Sequence, residues 1–319
     1  MKHIALKVDV DTYRGTQDGV PRLIDVLRRH AVGATFLFSL GPDHTGRAIR
    51  RVFRPGFLTK VRRTSVTSHY GLQTLLYGTL LPGPDIGKKC ADIMRQTRDE
   101  GFETGIHSWD HVGWQDKVHS ADIGWVRSQL ALAQERYFEI FKAPARTHGA
   151  AGWQMSRPAM RLEAEMGFDY CTDGRTSLAH AQTHFPVVDG EVMSCPQLPT
   201  DLPTLDELIG VGNLNANNVH EHLLDLTDPM KRKLLGQNDC DHVFTLHAEL
   251  EGQRFMPVFE NLLLGWKAQG FQLVSTRALF ESQAKSSLPY FSTGQAVVPG
   301  RSGKLLAATG PWANPAQLQ

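Results

Sequence analysis

Near the start of the chain the run VDVDT carries Asp9 and Asp11 one residue apart among apolar neighbours. In an extended strand side chains alternate with period two, so both carboxylates face one way while Val8 and Val10 face the other. Two like charges this close repel, and one stays protonated unless a cation lies beside them. Solvated aspartates at a strand end would leave the same trace. A second stretch, IHSWDH, sets His107 and His111 four residues apart, a spacing that lets two imidazoles meet one metal ion where a strand passes into a helix. Surface histidines without a ligand show the same spacing. One Asp with the two His makes a two-histidine, one-carboxylate set with positions open to water and substrate. A divalent metal there lowers the pKa of bound water toward ~7 and polarises a carbonyl. The remaining Asp can then accept the water's proton. A third stretch, FTLHAELEG, ends an apolar run at His247, which suits a general acid for a leaving amine. A core histidine bonded to a backbone carbonyl is the alternative there.

These side chains need a scaffold. Strand-like runs span 4–10, 34–40, 103–107, 168–173, 192–198, 242–249 and 271–275. Helix-like runs between them span 20–30, 86–101, 122–141, 156–167 and 257–270. In the first helix Val20, Leu23, Ile24 and Leu27 form one stripe. Gly101, Gly167 and Gly270 each follow a helical run and suit a left-handed C-terminal position. Thr204 with Glu207 reads as a capping box before LDELIG. Strand–helix alternation implies an α/β fold with a parallel sheet, open or closed into a barrel. In such folds sites lie beyond the C-terminal strand ends, where Asp9, Asp11, His107, Asp173 and His247 all fall.

The totals set limits. The 319 residues suffice for one large domain or two small ones, and 41% apolar with 21% charged residues is an ordinary globular balance. A net charge of +1 argues for no nucleic-acid partner. The four cysteines form no CxxC pair, and the N-terminus enters a strand-like run directly. Reduced thiols and a cytoplasmic setting are expected, with no signal peptide. No apolar run is long enough to span a membrane.

In this order the three stretches resemble the polysaccharide deacetylase family (NodB homology, carbohydrate esterase family 4-like). The resemblance implies a distorted (β/α) barrel, with Asp9 as base, Asp11, His107 and His111 as ligands of one divalent metal, and His247 as acid. Zinc, cobalt, manganese and iron are equally compatible with that ligand set. The stretches DVDTYRGTQDGVPRL, FSLGPDHTGR, AAGWQ, LPTLDELIG and HAELEG are similar to the branch of that family that deformylates a lipid-linked formamido-arabinose. That likeness implies a hydrolase at the inner face of the inner membrane, in lipid A modification and cationic-peptide resistance. Two motifs depart from the family pattern. ARTHGAAGW offers Arg146 without the expected proline, and Asp173–Gly174–Arg175 replaces an Asp–Asp–Trp. Trp153 is a candidate wall of the sugar pocket, with Asp173 and Arg175 as further substrate-binding candidates. Another NodB-type N-deacetylase, a DxD glycosyltransferase and a non-catalytic lipid-phosphate binding module are the rival readings.

Between Asp43 and Asp85 there is no acidic residue, while Arg47, Arg50, Arg51, Arg54, Lys60, Arg62 and Arg63 alternate with apolar side chains. Such a segment reads as a binder of an anionic membrane surface, each basic residue contributing about 1 kcal/mol there. A solvated basic face is the plainer reading. The expected organisation is one domain over 1–285, with this insertion at about 44–84, followed by a Gly-, Ser- and Pro-rich tail over 286–319 laid on the surface.

Overall fold

The computed structural model describes residues 2–48, 74–236 and 240–313. Its strands are β1 (Lys2–Val10), β2 (Thr35–Ser39), β3 (Glu103–Ser108), β4 (Thr147–His148), β5 (Tyr170–Cys171), β6 (Phe185–Val188), β7 (Glu191–Val192), β8 (His242–His247), β9 (Phe271–Val274), β10 (Tyr290–Ala296) and β11 (Leu305–Pro311). Seven of them form one parallel sheet in the order β5-β4-β3-β2-β1-β8, with β9 also paired to β1. β1 is its keystone. β8 runs along Ile4–Asp9, β2 along Lys7–Val10, and β9 along Lys2–Ala5. β2 and β9 pair with separate stretches of β1, and the parallel sheet curls into a half-closed barrel, as the family resemblance implies.

β1 is buried from Ile4 to Val10. Ile4, Leu6, Val8 and Val10 join the main apolar core, which the flanking helices cover. The opposite face carries Lys7 and Asp9, so the inner side of the curl is polar. Val20–Arg29 presents Val20, Leu23, Ile24 and Leu27 to the core, as the stripe predicts. The run over 86–101 forms two helices, Ile86–Lys89 and Ala91–Asp99, with non-helical geometry at Cys90. Its first turn is pinned to the end of β2, where a Cβ on Gly87 would lie 2.5 Å from the Leu40 carbonyl oxygen. Gly101, Gly167 and Gly270 have φ of +88°, +77° and +88°, the left-handed helix ends that glycine allows. The capping box at Thr204 and Glu207 is present.

The run over 192–198 contributes only its first residue to a strand, and Gln197 makes isolated bridges to Cys171 and His184. Pro196 has no N–H to continue a ladder. The segment after residue 285 differs more. β10 and β11 pair antiparallel, and β10 joins β6 in a four-stranded sheet, β11-β10-β6-β7. Leu305, Leu306, Ala307 and Ala308 are buried, so this part is built into the molecule rather than laid over it. The Gly-, Ser- and Pro-rich composition falls partly within the strands themselves, as in YFSTGQA and LLAATGP, and so hides them. Among the described residues, no helix is long and apolar enough to cross a membrane.

Candidate active site

The C-terminal ends of β1, β3 and β8 converge. Asp9 and His247 are register partners on adjacent strands. Asp11 lies just past β1, His107 sits near the end of β3, and His111 opens the helix His111–Lys117. Asp110 caps that helix through the Gly113 amide at 2.9 Å, and His44 Nδ1 meets its other oxygen at 2.8 Å. His111 is therefore fixed by its helix and His107 by its strand, with ring centroids 5.3 Å apart.

Both imidazoles turn toward one carboxylate. Asp11 Oδ1 lies 3.1 Å from His107 Nε2 and 3.4 Å from His111 Nε2. The oxygen is buried yet lacks a well-directed hydrogen bond. His107 Nδ1 donates to the Gly149 carbonyl at 2.6 Å, which leaves Nε2 as the lone-pair nitrogen. Burial opposes the charge on Asp11, but His111 and His107 outweigh it and hold the carboxyl well below the usual range. An orphaned carboxylate oxygen facing two imidazole nitrogens fits a divalent cation, and the three ligand atoms lie within 4.8 Å of one another.

Asp9 is held differently. Lys7, fully buried, donates from Nζ to Asp9 Oδ2 at 2.9 Å. Oδ1 is left without a hydrogen bond, 3.8 Å from His107 Nδ1. The two aspartates thus escape mutual repulsion by separate means, an ammonium for one and imidazoles for the other. His247 donates its backbone N–H to Glu251 Oε2 at 2.8 Å, and its ring Nδ1 has no partner. Burial pushes Glu251 up to about 8, so this acid is largely neutral at pH 7. Glu249 Oε1 accepts from the amides of Asp11 and Thr12 and from the Thr12 hydroxyl, fixing the turn that presents Asp11.

Trp153 meets His247 edge-on at 6.4 Å. Arg175 is brought to Trp153 but is buried and paired with Glu207. Asp173 is not brought to the ligand set. It is fully enclosed, accepting from the Ala150 amide and from Gln197, and it pairs with His148. Arg146 lies on the surface, paired with Asp169. Arg47 donates to the Gly78 carbonyl beside Asp110. Arg50, Arg51, Arg54, Lys60, Arg62 and Arg63 fall outside the described residues.

No family model matches the chain. Over 280 residues it is 35% identical to a Shewanella sediminis (strain HAW-EB3) protein assigned as the 4-deoxy-4-formamido-L-arabinose-phosphoundecaprenol deformylase ArnD, covering 88% of this chain and 86% of that one. The chain belongs to this deformylase family. A second deformylase of the same name, from Wigglesworthia glossinidia brevipalpis, is 29% identical over 291 residues, 91% of this chain and 96% of that one. The deformylase fold is the polysaccharide deacetylase fold. A structure assigned to those deacetylases, from Mycobacterium smegmatis, superposes with a TM-score of 0.60 at 14% identity, over 93% of this chain and 96% of that chain. The protein is a NodB-type hydrolase acting on an amide bond.

Lys7, Glu249, Glu251 and the Gly149 carbonyl escaped the sequence reading. Lys7 carried a signal, since it shares the period-two face of Asp9 and Asp11. The two glutamates share that alternation after His247. A backbone carbonyl leaves no trace in side-chain types.

Proposed function

We propose that the protein hydrolyses the N-formyl amide of 4-deoxy-4-formamido-L-arabinose phosphoundecaprenol to the free amine and formate. Asp11, His107 and His111 would hold one divalent metal, zinc, cobalt, manganese or iron. The observation that carries this reading is the set of buried polar atoms without partners at one group of strand ends: Asp9 Oδ1, Asp11 Oδ1 and His247 Nδ1. Buried orphans are rare, and three at one place mark where ligands complete the structure. A metal bound there supplies Lewis acidity to the formyl carbonyl and to the attacking water. Asp9 Oδ1 takes the proton of that water, while Lys7 keeps Oδ2 engaged and so aims the free oxygen. His247 delivers a proton to the departing sugar amine, and Trp153 forms a wall for the sugar ring.

The proposal extends to setting. The product would serve lipid A modification and resistance to cationic peptides such as polymyxin, and the protein would associate peripherally with the inner leaflet through the acid-free insertion. Formate release from the lipid-linked formamido sugar, with and without chelator, tests the chemistry. An acetamido analogue in the same assay separates a deformylase from a deacetylase. Flotation with anionic vesicles tests the membrane contact. Equal flotation of a variant with the insertion arginines neutralised would remove that part.

A further inference from the structure

Trp153 has φ of +54° and follows Gly152 at φ +61°. Glycine adopts this left-handed region freely, but a bulky side chain does so only when its surroundings hold it there. Three cations surround its indole here, the Lys7 ammonium 5.3 Å from the ring centroid and two guanidinium groups closer still. The Arg301 carbon lies 4.6 Å from the indole centroid and that of Arg175 lies 4.8 Å away, both within cation–π range. Both arginines converge on Glu207, whose carboxylate they keep below its usual range against the effect of burial. Arg301 also reaches Asp206 at 2.9 Å and the Thr204 hydroxyl at 3.1 Å, tying down the capped turn of the helix Leu205–Leu208. Arg301 belongs to the turn between β10 and β11, in the segment expected to be a tail. A Cβ at Gly300 would lie 2.8 Å from the Glu207 carbonyl oxygen, so a glycine is needed for that turn to come this close.

We propose that Arg301 is a positioning residue for the hydrolysis: from the C-terminal hairpin it clamps the Trp153 indole in its left-handed conformation against His247. The inference rests on the amide-hydrolase reading and extends the site to a part of the chain that no strand-end argument reaches. The metal ligands sit on β1, on β3 and on the helix after it, none of them touching Arg301. Loss of the clamp therefore acts on His247 and on the Lys7 that holds Asp9, and leaves the metal ligands alone.

The experiment uses the full chain with Arg301→Gln, Arg301→Lys and Trp153→Phe, singly and combined. The expected result for Arg301→Gln is a kcat lower by about 10²-fold, the scale of a small misplacement of reacting groups. Metal affinity, read by chelator competition, stays within about two-fold of the parent protein, because no ligand or ligand support is touched. Arg301→Lys, which keeps the charge without the fork, recovers part of kcat. The near-ultraviolet circular dichroism of Arg301→Gln changes, and that change is absent when the substitution is made in the Trp153→Phe background. An unchanged kcat, a parallel loss of metal affinity, or a dichroism change that persists without Trp153 overturns the proposal. If Arg301→Gln does not fold, Arg301→Lys carries the same comparison. A parent protein that releases no formate sinks the functional reading instead, and the dichroism pair still decides whether Arg301 holds Trp153.

Discussion

Two buried clusters built from the same residue types lie near each other and are satisfied in opposite ways. Asp11, His107 and His111 form one; His148, Glu163 and Asp173, with Cys171 beside them, form the other. Either passes a distance test for a metal ion. In the second, His148 Nδ1 lies 2.8 Å from Asp173 and 2.9 Å from Glu163, and Gln197 donates to the remaining Asp173 oxygen at 2.7 Å. Burial disfavours a charged His148, but the two carboxyl groups outweigh it and raise it to about 10. Burial and the neighbouring Asp173 push Glu163 far up, so it stays neutral. An imidazolium, one carboxylate and one carboxylic acid then meet at His148 Nδ1, with protons where a metal would be, while His148 Nε2 has no partner. In the first cluster the carboxylate oxygen has two imidazole nitrogens before it and no aligned donor. Residue type and spacing do not distinguish a ligand set from a proton network. Orphaned acceptors do.

The contrast can be broken by experiment. The largest expected effect is at the first cluster. His107→Ala should lose the metal and bring formate release to background, whereas substitutions at His148 should leave one metal per chain, as counted by elemental analysis. Next, Asp9→Asn and His247→Ala should each lower kcat by on the order of 10²–10⁴-fold while metal content stays at the parent level. A loss of metal in Asp9→Asn would show that the two aspartates exchange roles. At the second cluster Asp173→Asn should act on stability, lowering it by about 3–5 kcal/mol in denaturant unfolding, because it strands a buried charged partner. The last comparison is in pH. The folded-state pKa of His148 lies above its unfolded value, so its stabilising contribution is complete below about pH 6.5 and is lost as pH rises toward 10. Melting temperature should decline across that window. His148→Gln should make the decline shallower without abolishing it, since Asp201, against burial, raises His242 to about 10 in the same way.

What was legible followed from period and position. VDVDT, HSWDH and TLH announced the site because strand alternation and strand ends are written in residue order. The parallel sheet followed from the spacing of apolar runs. The rest depended on tertiary partners. Asp173 and Arg175 stand after a strand, where substrate contacts are common, yet the structure turns them to Gln197, His148 and Glu207, all distant in sequence. Lys7 lies on the same period-two face as Asp9, and the burial of that inner face makes it Asp9's partner. The C-terminal hairpin was hidden because glycines interrupt its strands and its pairing partner, β6, lies far upstream.

The keystone position of β1 also has a consequence in time. It precedes the other described strands, and two of its three neighbours, β8 and β9, come from residues 242–274. Asp11 and the Glu249 that anchors its amide are 238 residues apart. During synthesis Asp11 therefore meets His107 and His111 well before the Glu249 that anchors its amide is made. Pairings this distant make assembly slow. The ligand set is complete in sequence by residue 111, yet a chain cut short before β8 lacks His247 and the two glutamates that hold the Asp11 and His247 amides.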